Sequence, residues 1–446
     1  MFDRIQDIEV VYIQPIFKEY TKFLANNGCD VSWYKDKTFW IDNNIIKAFD
    51  KMGGVISLYK ISVDDDLNVS LVKHKQNTRQ FEFETWDETV QRLLPRLQEI
   101  EAQSIDLLHK HCDGSGRRII NTNSTGKDSM VVTHLAQKAG LDFETYFNVT
   151  TLDVSESNLM AKRNGYIHIL PDPQYGGFYK YIQRYSGGGI QMIPSRLNRF
   201  CCQYFKENPT IDYFDPNEKL IFLFGMRNQE SQKRAAYEDT IRNPKWGSRD
   251  WVGVLPIRTW SEFDVWLYIL AEGIEINDKY RYGYTRVGCG IACPNYTKYT
   301  WVLDKFWYPH LFSRWRGILR SDFIRNNKWL IMNCTINEYI TTAWPGGVYR
   351  SEPTEEVVEE YARYSGLDVE ISRKYFNKYC ANGCINKRRQ PMKIKDKDTL
   401  AMNMKLFGRH IDQFRCKRCL MKEFGWNQEQ WNSKIDQFKR SGCILF

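Results

Sequence analysis

The chain has 446 residues, 42% of them hydrophobic, which is long enough for about three domains with buried cores. No apolar run approaches the roughly 18 residues that a membrane-spanning helix needs. The first residues, MFDRIQDIEV, lack the basic and apolar regions of a secretory signal, so we expect a cytoplasmic protein that contacts no membrane. The net charge is +9, yet residues 371–446 alone hold 18 Lys and Arg against 6 Asp and Glu, so the basic character is concentrated there.

The order of the predicted elements is typical of an α/β protein. Residues 1–85 mix strand-like and turn-forming sequence, which predicts a small N-terminal α+β segment of unknown role. An amphipathic helical pattern from residue 86 then leads into strands that alternate with helices. Such alternation predicts a parallel, twisted sheet with helices on both faces, and ligands of these sheets bind at the carboxyl ends of the strands. The strands are predicted at 117–122, 142–149, 166–170 and 219–224.

The first of these strands runs into a turn suited to phosphate. Residues 119–129 read IINTNSTGKDS, a β-branched run followed by small polar residues and the start of a helix. Small residues let successive backbone N–H groups turn inward, the helix adds the positive end of its dipole, and Lys127 adds a point charge. The turn is not the GxxxxGK[ST] phosphate loop, because Asp128 directly follows the lysine. The residues expected to contact phosphate are Ser124, Thr125, Gly126, Lys127, Asp128 and Ser129.

Two further strand ends carry residues suited to the same ligand. The second strand is followed by TTLD, which ends at Asp153, and the fourth by Gly225, Met226 and Arg227. A guanidinium group forks onto phosphate or sulfate oxygens, and Glu230 and Arg234 lie shortly beyond. Because these segments end strands of one parallel sheet, a single pocket can contain them.

The turn resembles the loop of one enzyme superfamily. STGKDS resembles the SGGKDS pyrophosphate loop of the N-type ATP pyrophosphatases and the phosphoadenosine phosphosulfate (PAPS) reductases, with Thr125 in place of a glycine. The segment GMRNQES resembles the family's GxRxxES, and the fragments PIRTW, DVW and RFCC also match the family. The resemblance covers residues 87–320 and implies the adenine nucleotide alpha-hydrolase-like fold.

The resemblance also implies residue roles and cofactors. It assigns Lys127, Asp128 and Arg227 to catalysis and adds Arg199 to the nucleotide-binding residues. The expected cofactor or substrate is an adenine nucleotide, which is ATP, adenylyl sulfate or PAPS, and Mg²⁺ is a further ion that the family allows.

Twelve cysteines in a cytosolic chain indicate metal or redox chemistry rather than a disulfide scaffold. Four of them, the inner cysteines, look like the adenylyl-sulfate reductase arrangement, in which a tandem pair and a later CxxC hold a [4Fe-4S] cluster. The later pair is CxxxC here, so three interpretations of these cysteines stay open: an intact cluster, a zinc site of three or four thiolates, or a structural remnant. The inner cysteines are Cys201, Cys202, Cys289 and Cys293.

Four other cysteines, the outer cysteines, predict a zinc module. Cys380 and Cys384 form a CxxxC and Cys416 and Cys419 a CxxC, and two such knuckles can close a tetrahedral four-thiolate site. The positive charge around them is either a solvated face or a grip on a nucleic-acid backbone. The expected domains are the α+β segment (1–85), a PAPS reductase-like nucleotide-binding domain (86–330), a helical bridge (331–370) and a basic zinc-ribbon-like module (371–446).

Two enzymatic functions fit these features. The first is sulfonucleotide reduction by a PAPS reductase-family oxidoreductase, with a thioredoxin-like electron donor. In the reductases a cysteine near the C-terminus attacks the sulfate sulfur, and Cys443, beside Lys439 and Arg440, is the candidate here. The second is an ATP pyrophosphatase and sulfurtransferase that resembles the DNA-phosphorothioation and tRNA-thiolation enzymes, with a cysteine desulfurase as sulfur donor. A regulatory subunit without turnover is a third interpretation, and we favour the first.

Overall fold

The structure is a computed structural model that divides into two compact units. The first unit comprises Met1–Pro173, Cys201–Gly290 and Tyr299–Tyr308, and the second comprises Gln174–Phe200, Ile291–Lys298 and Pro309–Phe446. Within them the structure describes residues 13–52, 54–64, 66–74, 81–187, 193–196, 198–295, 297–344, 350, 352–366, 368–376, 378–386, 389, 391–394, 396–408, 411 and 413–441.

The first unit begins with a small antiparallel sheet. Its strands are β1 Ile13–Pro15, β2 Phe39–Asp42, β3 Ile45–Phe49, β4 Val55–Val63 and β5 Val69–Lys73. They pair in sequence order, each antiparallel to the next. Helix α1, Lys18–Asn26, connects β1 to β2 and buries Tyr20, Phe23 and Leu24. This is the α+β segment expected from the sequence.

The second sheet of this unit is the parallel sheet that the sequence predicts. Its strands are β6 Arg118–Thr122, β7 Phe143–Asn148, β8 Ile167–Ile169, β9 Leu220–Leu223, β10 Thr240–Ile241 and β11 Trp251–Val254. They pair in the order β10-β11-β9-β6-β7-β8, and every pairing is parallel except that of β10 with β11. The strand order therefore reverses between β6 and β9. Ligands of open α/β sheets bind outside the carboxyl ends of the strands at such a reversal point.

Helices occupy most of the remaining described chain. None of those described combines the length and the apolar character that a membrane-spanning segment requires. Short 3-10 segments lie at Pro173–Tyr175, Asn228–Glu230 and Pro244–Trp246, and π-helical segments at Gln203–Glu207 and Tyr339–Ala343. The helices are α2 Trp86–Cys112, α3 Lys127–Lys138, α4 Ser155–Arg163, α5 Phe178–Gly187, α6 Phe200–Cys202, α7 Asn208–Tyr213, α8 Gln232–Ala235, α9 Glu262–Glu272, α10 Asp278–Arg281, α11 Lys298–Trp307, α12 Pro309–Arg325, α13 Lys328–Met332, α14 Ile336–Glu338, α15 Glu355–Ser365, α16 Val369–Phe376, α17 Lys397–Phe407, α18 Lys417–Glu423 and α19 Gln428–Arg440.

One hydrophobic core joins both sheets of the first unit. It contains Trp40 of the antiparallel sheet, Leu93 of α2, Val131 of α3, Leu223 of β9 and Trp266 of α9. Helix α2 begins at a capping box between Thr85 and Glu88 and continues through Pro95. This core fixes the starts of α3 and α9 relative to the end of β9, and the charged residues described below lie at those three points.

The second unit is mainly helical in its described part. On α12, the ring of Phe323 lies 4.6 Å from that of Trp329 and 5.2 Å from that of Tyr339. A separate core of α17 to α19 contains Met402, Leu420 and Trp431. This second core supports the segment that carries Cys416 and Cys419.

Candidate functional site

The turn after β6 forms a tight loop at the reversal point of the sheet. We call residues 123–129 the phosphate loop; it runs from the residue after β6 into the first turn of α3. Thr125 has a φ of 58°, in the left-handed region that costs a residue with a Cβ roughly 1–2 kcal/mol. The backbone N–H of Thr125 donates a 2.7 Å hydrogen bond to Asn123 Oδ1. Thr125 thus adopts a conformation that a glycine would adopt without strain.

Asn123 holds the phosphate loop in this shape. Its Oδ1 accepts hydrogen bonds from the Thr125 amide and, at 3.1 Å, from the Ser129 hydroxyl. Its Nδ2 donates to Thr133 Oγ1 at 2.8 Å and to the Tyr166 hydroxyl at 3.1 Å. Asn123 was not predicted as a site residue. The available signal was an asparagine two residues before Thr125, because Asn side chains commonly bond the backbone two residues on.

The side chain of Thr125 is anchored by a distant residue. Its Oγ1 accepts a 3.0 Å hydrogen bond from Asn277 Nδ2, which also lies 3.2 Å from Ser157 Oγ. Asn277 in turn caps α10, because its Oδ1 accepts a hydrogen bond from the Lys279 amide at 3.1 Å. Thr125, Ser157 and Asn277 are all buried. A hydroxyl at position 125 therefore makes a contact that a glycine cannot make.

The start of α3 offers backbone donors to an anion. Gly126 precedes the helix, and the Lys127 amide donates a 2.9 Å hydrogen bond to the Tyr280 hydroxyl. Burial raises the pKa of Tyr280, so its hydroxyl is protonated at neutral pH. The next first-turn amides, those of Asp128 and Ser129, have no acceptor within the helix and are the donors that a phosphate would use.

Four charged side chains, two of them from the phosphate loop, form a closed ring that we call the charge ring. Lys127 Nζ lies 3.0 Å from Asp128 Oδ2 and 3.2 Å from Glu262 Oε1. Arg227 completes the charge ring, since its Nε lies 2.6 Å from Asp128 Oδ1 and its Nη2 lies 2.7 Å from Glu262 Oε2. The side chain of Arg227 is only 2% exposed. Two positive and two negative groups make the charge ring neutral as a whole.

The charge ring controls protonation at the phosphate loop. Burial opposes ionisation of Asp128, but Lys127 and Arg227 outweigh it and hold the pKa of Asp128 below its ordinary value. Burial likewise opposes the charge on Lys127, and Asp128 and Glu262 raise its pKa. Glu262 was not predicted, although its place in the first turn of α9, directly after the capping Ser261, suits an acidic residue.

Gly225 lets the end of β9 approach the start of α3. A Cβ on Gly225 would lie 2.7 Å from the carbonyl carbon of Asp128 and 2.9 Å from the Ser129 nitrogen. Both are backbone atoms, which cannot rotate away from the contact. The glycine therefore permits the close packing that brings Arg227 to Asp128.

Known proteins share this region of the chain. A family model described as the phosphoadenosine phosphosulfate reductase domain matches residues 118–295. The adenosine 5'-phosphosulfate reductase of Neisseria meningitidis serogroup B is 56% identical over 191 residues, which cover 40% of this chain and 71% of that protein. The chain belongs to the phosphoadenosine phosphosulfate reductase family. We use the term PAPS reductase-like protein for members of this family.

Two further relatives have lower sequence identity. An uncharacterised protein of Methanocaldococcus jannaschii is 26% identical over 247 residues, which cover 54% of this chain and 58% of that protein. The sulfate adenylyltransferase subunit 2 of Chromobacterium violaceum is 24% identical over 206 residues, which cover 42% of this chain and 66% of that protein. The chain thus spans less than two thirds of either of these two relatives.

In this PAPS reductase-like protein the segment after β7 packs against a second glycine. A Cβ on Gly290, whose φ is 105°, would lie 2.0 Å from the Leu152 carbonyl oxygen. Asp153 Oδ2 accepts a 2.6 Å hydrogen bond from the Thr150 amide. Burial raises the pKa of Asp153, against the opposing effects of that hydrogen bond and of Lys206. Asp153 therefore braces its own turn in the first unit.

The other residues that the sequence predicts to bind the nucleotide lie in different parts of the structure. Glu230 accepts a 2.9 Å hydrogen bond from the Arg227 amide and also pairs with Arg234. Ser124 is the exposed residue of the phosphate loop. Arg199 is exposed and lies in the second unit. The structure thus brings Glu230 and Arg234 together beside Arg227.

The inner cysteines are divided between the units. Cys201, Cys202 and Cys289 lie in the first unit and Cys293 in the second. Cys201 and Cys293 are buried, whereas Cys202 and Cys289 are partly exposed. A shared [4Fe-4S] cluster, a zinc site and a structural remnant all stay predictions for these residues.

The outer cysteines form a cluster in the second unit that could hold a metal ion. Their sulfur atoms all lie within 4.8 Å of one another, the one such group of metal ligands among the described residues. Cys419 Sγ lies 3.7 Å from Cys380 Sγ and 3.4 Å from Cys384 Sγ. A tetrahedral zinc site with Zn–S bonds of roughly 2.3 Å needs sulfur atoms about 3.8 Å apart, close to these separations. The four thiols therefore fit one metal ion.

The thiols of this cluster differ in pKa. Burial opposes ionisation of Cys380, but hydrogen bonds, first from the Cys416 amide, lower its pKa to about 7. Burial and the neighbouring thiol of Cys384 raise the pKa of Cys419 to about 12. A bound cation would favour the thiolate form of all four ligands. Cys443, the candidate nucleophile, lies outside the described residues.

Proposed function

We propose that this protein binds adenylyl sulfate or PAPS at the phosphate loop and reduces it to release sulfite. The single observation that carries the proposal is the phosphate loop itself, which Asn123 and Asn277 hold in shape at the reversal point, together with the buried cations Lys127 and Arg227. Family membership and a relative named as an adenosine 5'-phosphosulfate reductase support sulfur metabolism as its context.

In the proposed complex the nucleotide's phosphate accepts hydrogen bonds from the Asp128 and Ser129 amides. Lys127 and Arg227 supply positive charge, and their present carboxylate partners keep them ordered before the nucleotide arrives. The anion must compete with Asp128 and Glu262 for these cations. Binding should therefore strengthen when a carboxylate of the charge ring is neutralised.

The proposed reaction is a two-step sulfur transfer. A cysteine thiolate, for which Cys443 is the candidate, attacks the sulfate sulfur, and the bond from sulfur to the phosphate-bridging oxygen breaks. AMP leaves from adenylyl sulfate, or adenosine 3',5'-bisphosphate from PAPS, and the cysteine carries the sulfonate. One thiolate of a dithiol donor of thioredoxin type then attacks the cysteine sulfur, which releases sulfite and leaves a mixed disulfide. The donor's second thiolate breaks that bond, restores the cysteine thiolate and leaves the donor as a disulfide, so the donor supplies the two electrons.

Metal ions have separate proposed places. The outer cysteines would hold Zn²⁺, because four thiolates at tetrahedral separations are its usual structural site. The inner cysteines would hold a [4Fe-4S] cluster, since each thiolate of a tandem pair can bind a different iron. No step above depends on either metal.

A second function is favoured by the charge around the outer cysteines. Residues 371–446 carry 18 Lys and Arg against 6 Asp and Glu, which suits a polyanion such as DNA or tRNA. In that function the loop would bind ATP with Mg²⁺, adenylate a nucleic acid and release pyrophosphate before sulfur transfer.

One pair of product assays separates the two functions. Anaerobically purified protein is given adenylyl sulfate or PAPS with a dithiol, and sulfite is measured; the same protein is given ATP, Mg²⁺ and tRNA, and pyrophosphate is measured. Sulfite release that disappears in Cys443→Ser is the expected result. Pyrophosphate release without sulfite would replace reduction with nucleic-acid modification.

A further inference from the structure

The second unit contains a cavity that the proposed reaction does not use. Its volume is about 600 Å³, within the range of about 300–1,000 Å³ that is usual for ligand pockets. Helices α12, α13 and α15 contribute to its walls, together with Ile336, Asn337 and Ile340. All of the lining residues belong to one unit, so the cavity is complete within it.

The cavity is lined by unpaired positive charge. Arg316 and Arg320 lie one turn apart on α12, and Arg363 lies on α15. All three are exposed, and none forms an ion pair with any residue that the structure describes. The one lining carboxylate, that of Glu360, accepts hydrogen bonds from Trp329 Nε1 at 2.6 Å and from the Ile336 amide at 2.8 Å. The ionisable lining therefore carries a net charge of +2.

An aromatic platform lies among these arginines. The rings of Trp329 and Tyr364 have centroids 4.7 Å apart and are inclined by 31°. Trp329 is 1% exposed and Tyr364 is 52% exposed, so the tryptophan supports one side of a tyrosine that is open on the other. Flat, half-open aromatic rings beside guanidinium groups are the elements with which proteins stack and neutralise single-stranded nucleic acids.

A glycine keeps the α12 side of the cavity open. Gly317 lies between the two arginines in the interior of α12, and a Cβ built on it would meet no atom within 4 Å. Glycine lowers helix stability relative to alanine, and neither a positive φ nor close packing requires it here. Gly317 therefore leaves the space between the two arginines free of side-chain atoms.

We propose that this cavity binds nucleotides of a single-stranded nucleic acid, with a base stacked on Tyr364 and neighbouring phosphates paired with the arginines. Arg316 and Arg320 are four residues apart, so their Cβ atoms are separated by roughly 5–6 Å and each can fork onto a different phosphate. A free nucleotide shares this chemistry but presents one base with its own phosphates. The inference stands apart from the proposed reaction at the phosphate loop.

The test measures binding of a labelled single strand of about 12 nucleotides to the full chain by fluorescence anisotropy. Arg316→Gln with Arg320→Gln should reduce the slope of log affinity against log salt by about 1.4, because each lost phosphate contact removes about 0.7. When salt is raised from 50 to 200 mM, the factor by which affinity falls should then be about seven times smaller for the variant than for the native chain. Tyr364→Ala should weaken binding by about tenfold.

Two further variants separate the cavity from general charge. Lys18→Gln with Lys22→Gln removes the same charge from exposed positions on α1 in the first unit and should leave binding near the native level. Gly317→Leu fills the cavity without changing charge and should weaken binding while the thermal unfolding temperature is maintained. Equal effects of the arginine and lysine pairs would overturn the proposal. If AMP displaced the labelled strand at the same concentration as the unlabelled strand does, the assignment to a nucleic acid would be overturned.

Discussion

Glu262→Gln tests whether the charge ring controls anion binding at the phosphate loop. The substitution keeps the side chain's shape and one acceptor for Arg227, but it leaves Lys127 and Arg227 facing the single carboxylate of Asp128. Removing one partner from a buried ionic network costs about 3–5 kcal/mol. The retained acceptor places the expected loss of unfolding free energy near the lower limit, at about 3 kcal/mol.

The same substitution should strengthen anion binding. The charge ring of Glu262→Gln carries a net charge of +1, which a phosphate or sulfate group can neutralise. A ligand at 100 times its Kd stabilises a protein by about 2.7 kcal/mol, so saturating adenylyl sulfate should recover much of the lost stability. The variant should therefore be less stable than the native chain alone and bind the nucleotide more tightly.

Urea denaturation at pH 7, with and without adenylyl sulfate, measures both effects. Glu272→Gln is the matched control, because Glu272 lies on the same helix and forms a half-exposed ion pair with Lys138 at 3.0 Å. Such a pair contributes at most about 1 kcal/mol. A Glu262→Gln variant no less stable than this control, or one that binds the nucleotide more weakly than the native chain, would refute the reasoning.

Three other predictions concern the loop, the neighbouring turn and the outer cysteines. Thr125→Gly should change the free energy of unfolding by less than about 1 kcal/mol, because relief of the left-handed strain offsets the lost contact with Asn277. Thr125→Ala loses the contact but keeps the strain, so urea denaturation should show it to be the less stable of the two variants. The reverse order would contradict this explanation. Asp153 has a raised pKa in the folded state, so its contribution to the free energy of unfolding is greatest at pH values below its unfolded-state pKa of about 3.9. That contribution falls as the pH rises through the folded-state pKa, by up to about 1.4 kcal/mol per pH unit. Asp153→Asn should lack that fall and be more stable at pH 7, and an unchanged profile of unfolding free energy against pH would contradict the account. Elemental analysis should find less metal in Cys416→Ser than in the native chain, and hydrogen exchange in α18 and α19 should increase. The control variant Cys334→Ser should retain the metal. Equal metal content in the two variants would contradict a site at the outer cysteines.

The parts of the site that were predicted are those whose signals are local in sequence. The phosphate loop combines a strand, small residues and a helix start within eleven consecutive positions, and the structure places β6 and α3 accordingly. Gly225 and Arg227 follow an apolar run that becomes β9. The outer cysteines carry their signal in spacing alone.

The parts that were missed depend on contacts between distant segments. Glu262 lies 35 positions from Arg227, and Asn277 lies 152 positions from Thr125, so no local pattern pairs them. Strand β11 was missed because it is four residues long and contains Gly253, which weakens a strand pattern. The substitution at Thr125 could be noticed from the sequence, but only the packing of Asn277 explains why a threonine is accommodated there.

Calorimetric titration of adenylyl sulfate into Gly225→Ala tests most directly whether the phosphate loop is the nucleotide site. The added Cβ would press on the backbone of Asp128 and Ser129, whereas Gly54→Ala adds a Cβ whose nearest neighbour is 4.0 Å away and serves as the control. Both variants are first shown to be folded by circular dichroism. The account predicts native affinity for Gly54→Ala and a loss of binding for Gly225→Ala. Native affinity in a folded Gly225→Ala would contradict it.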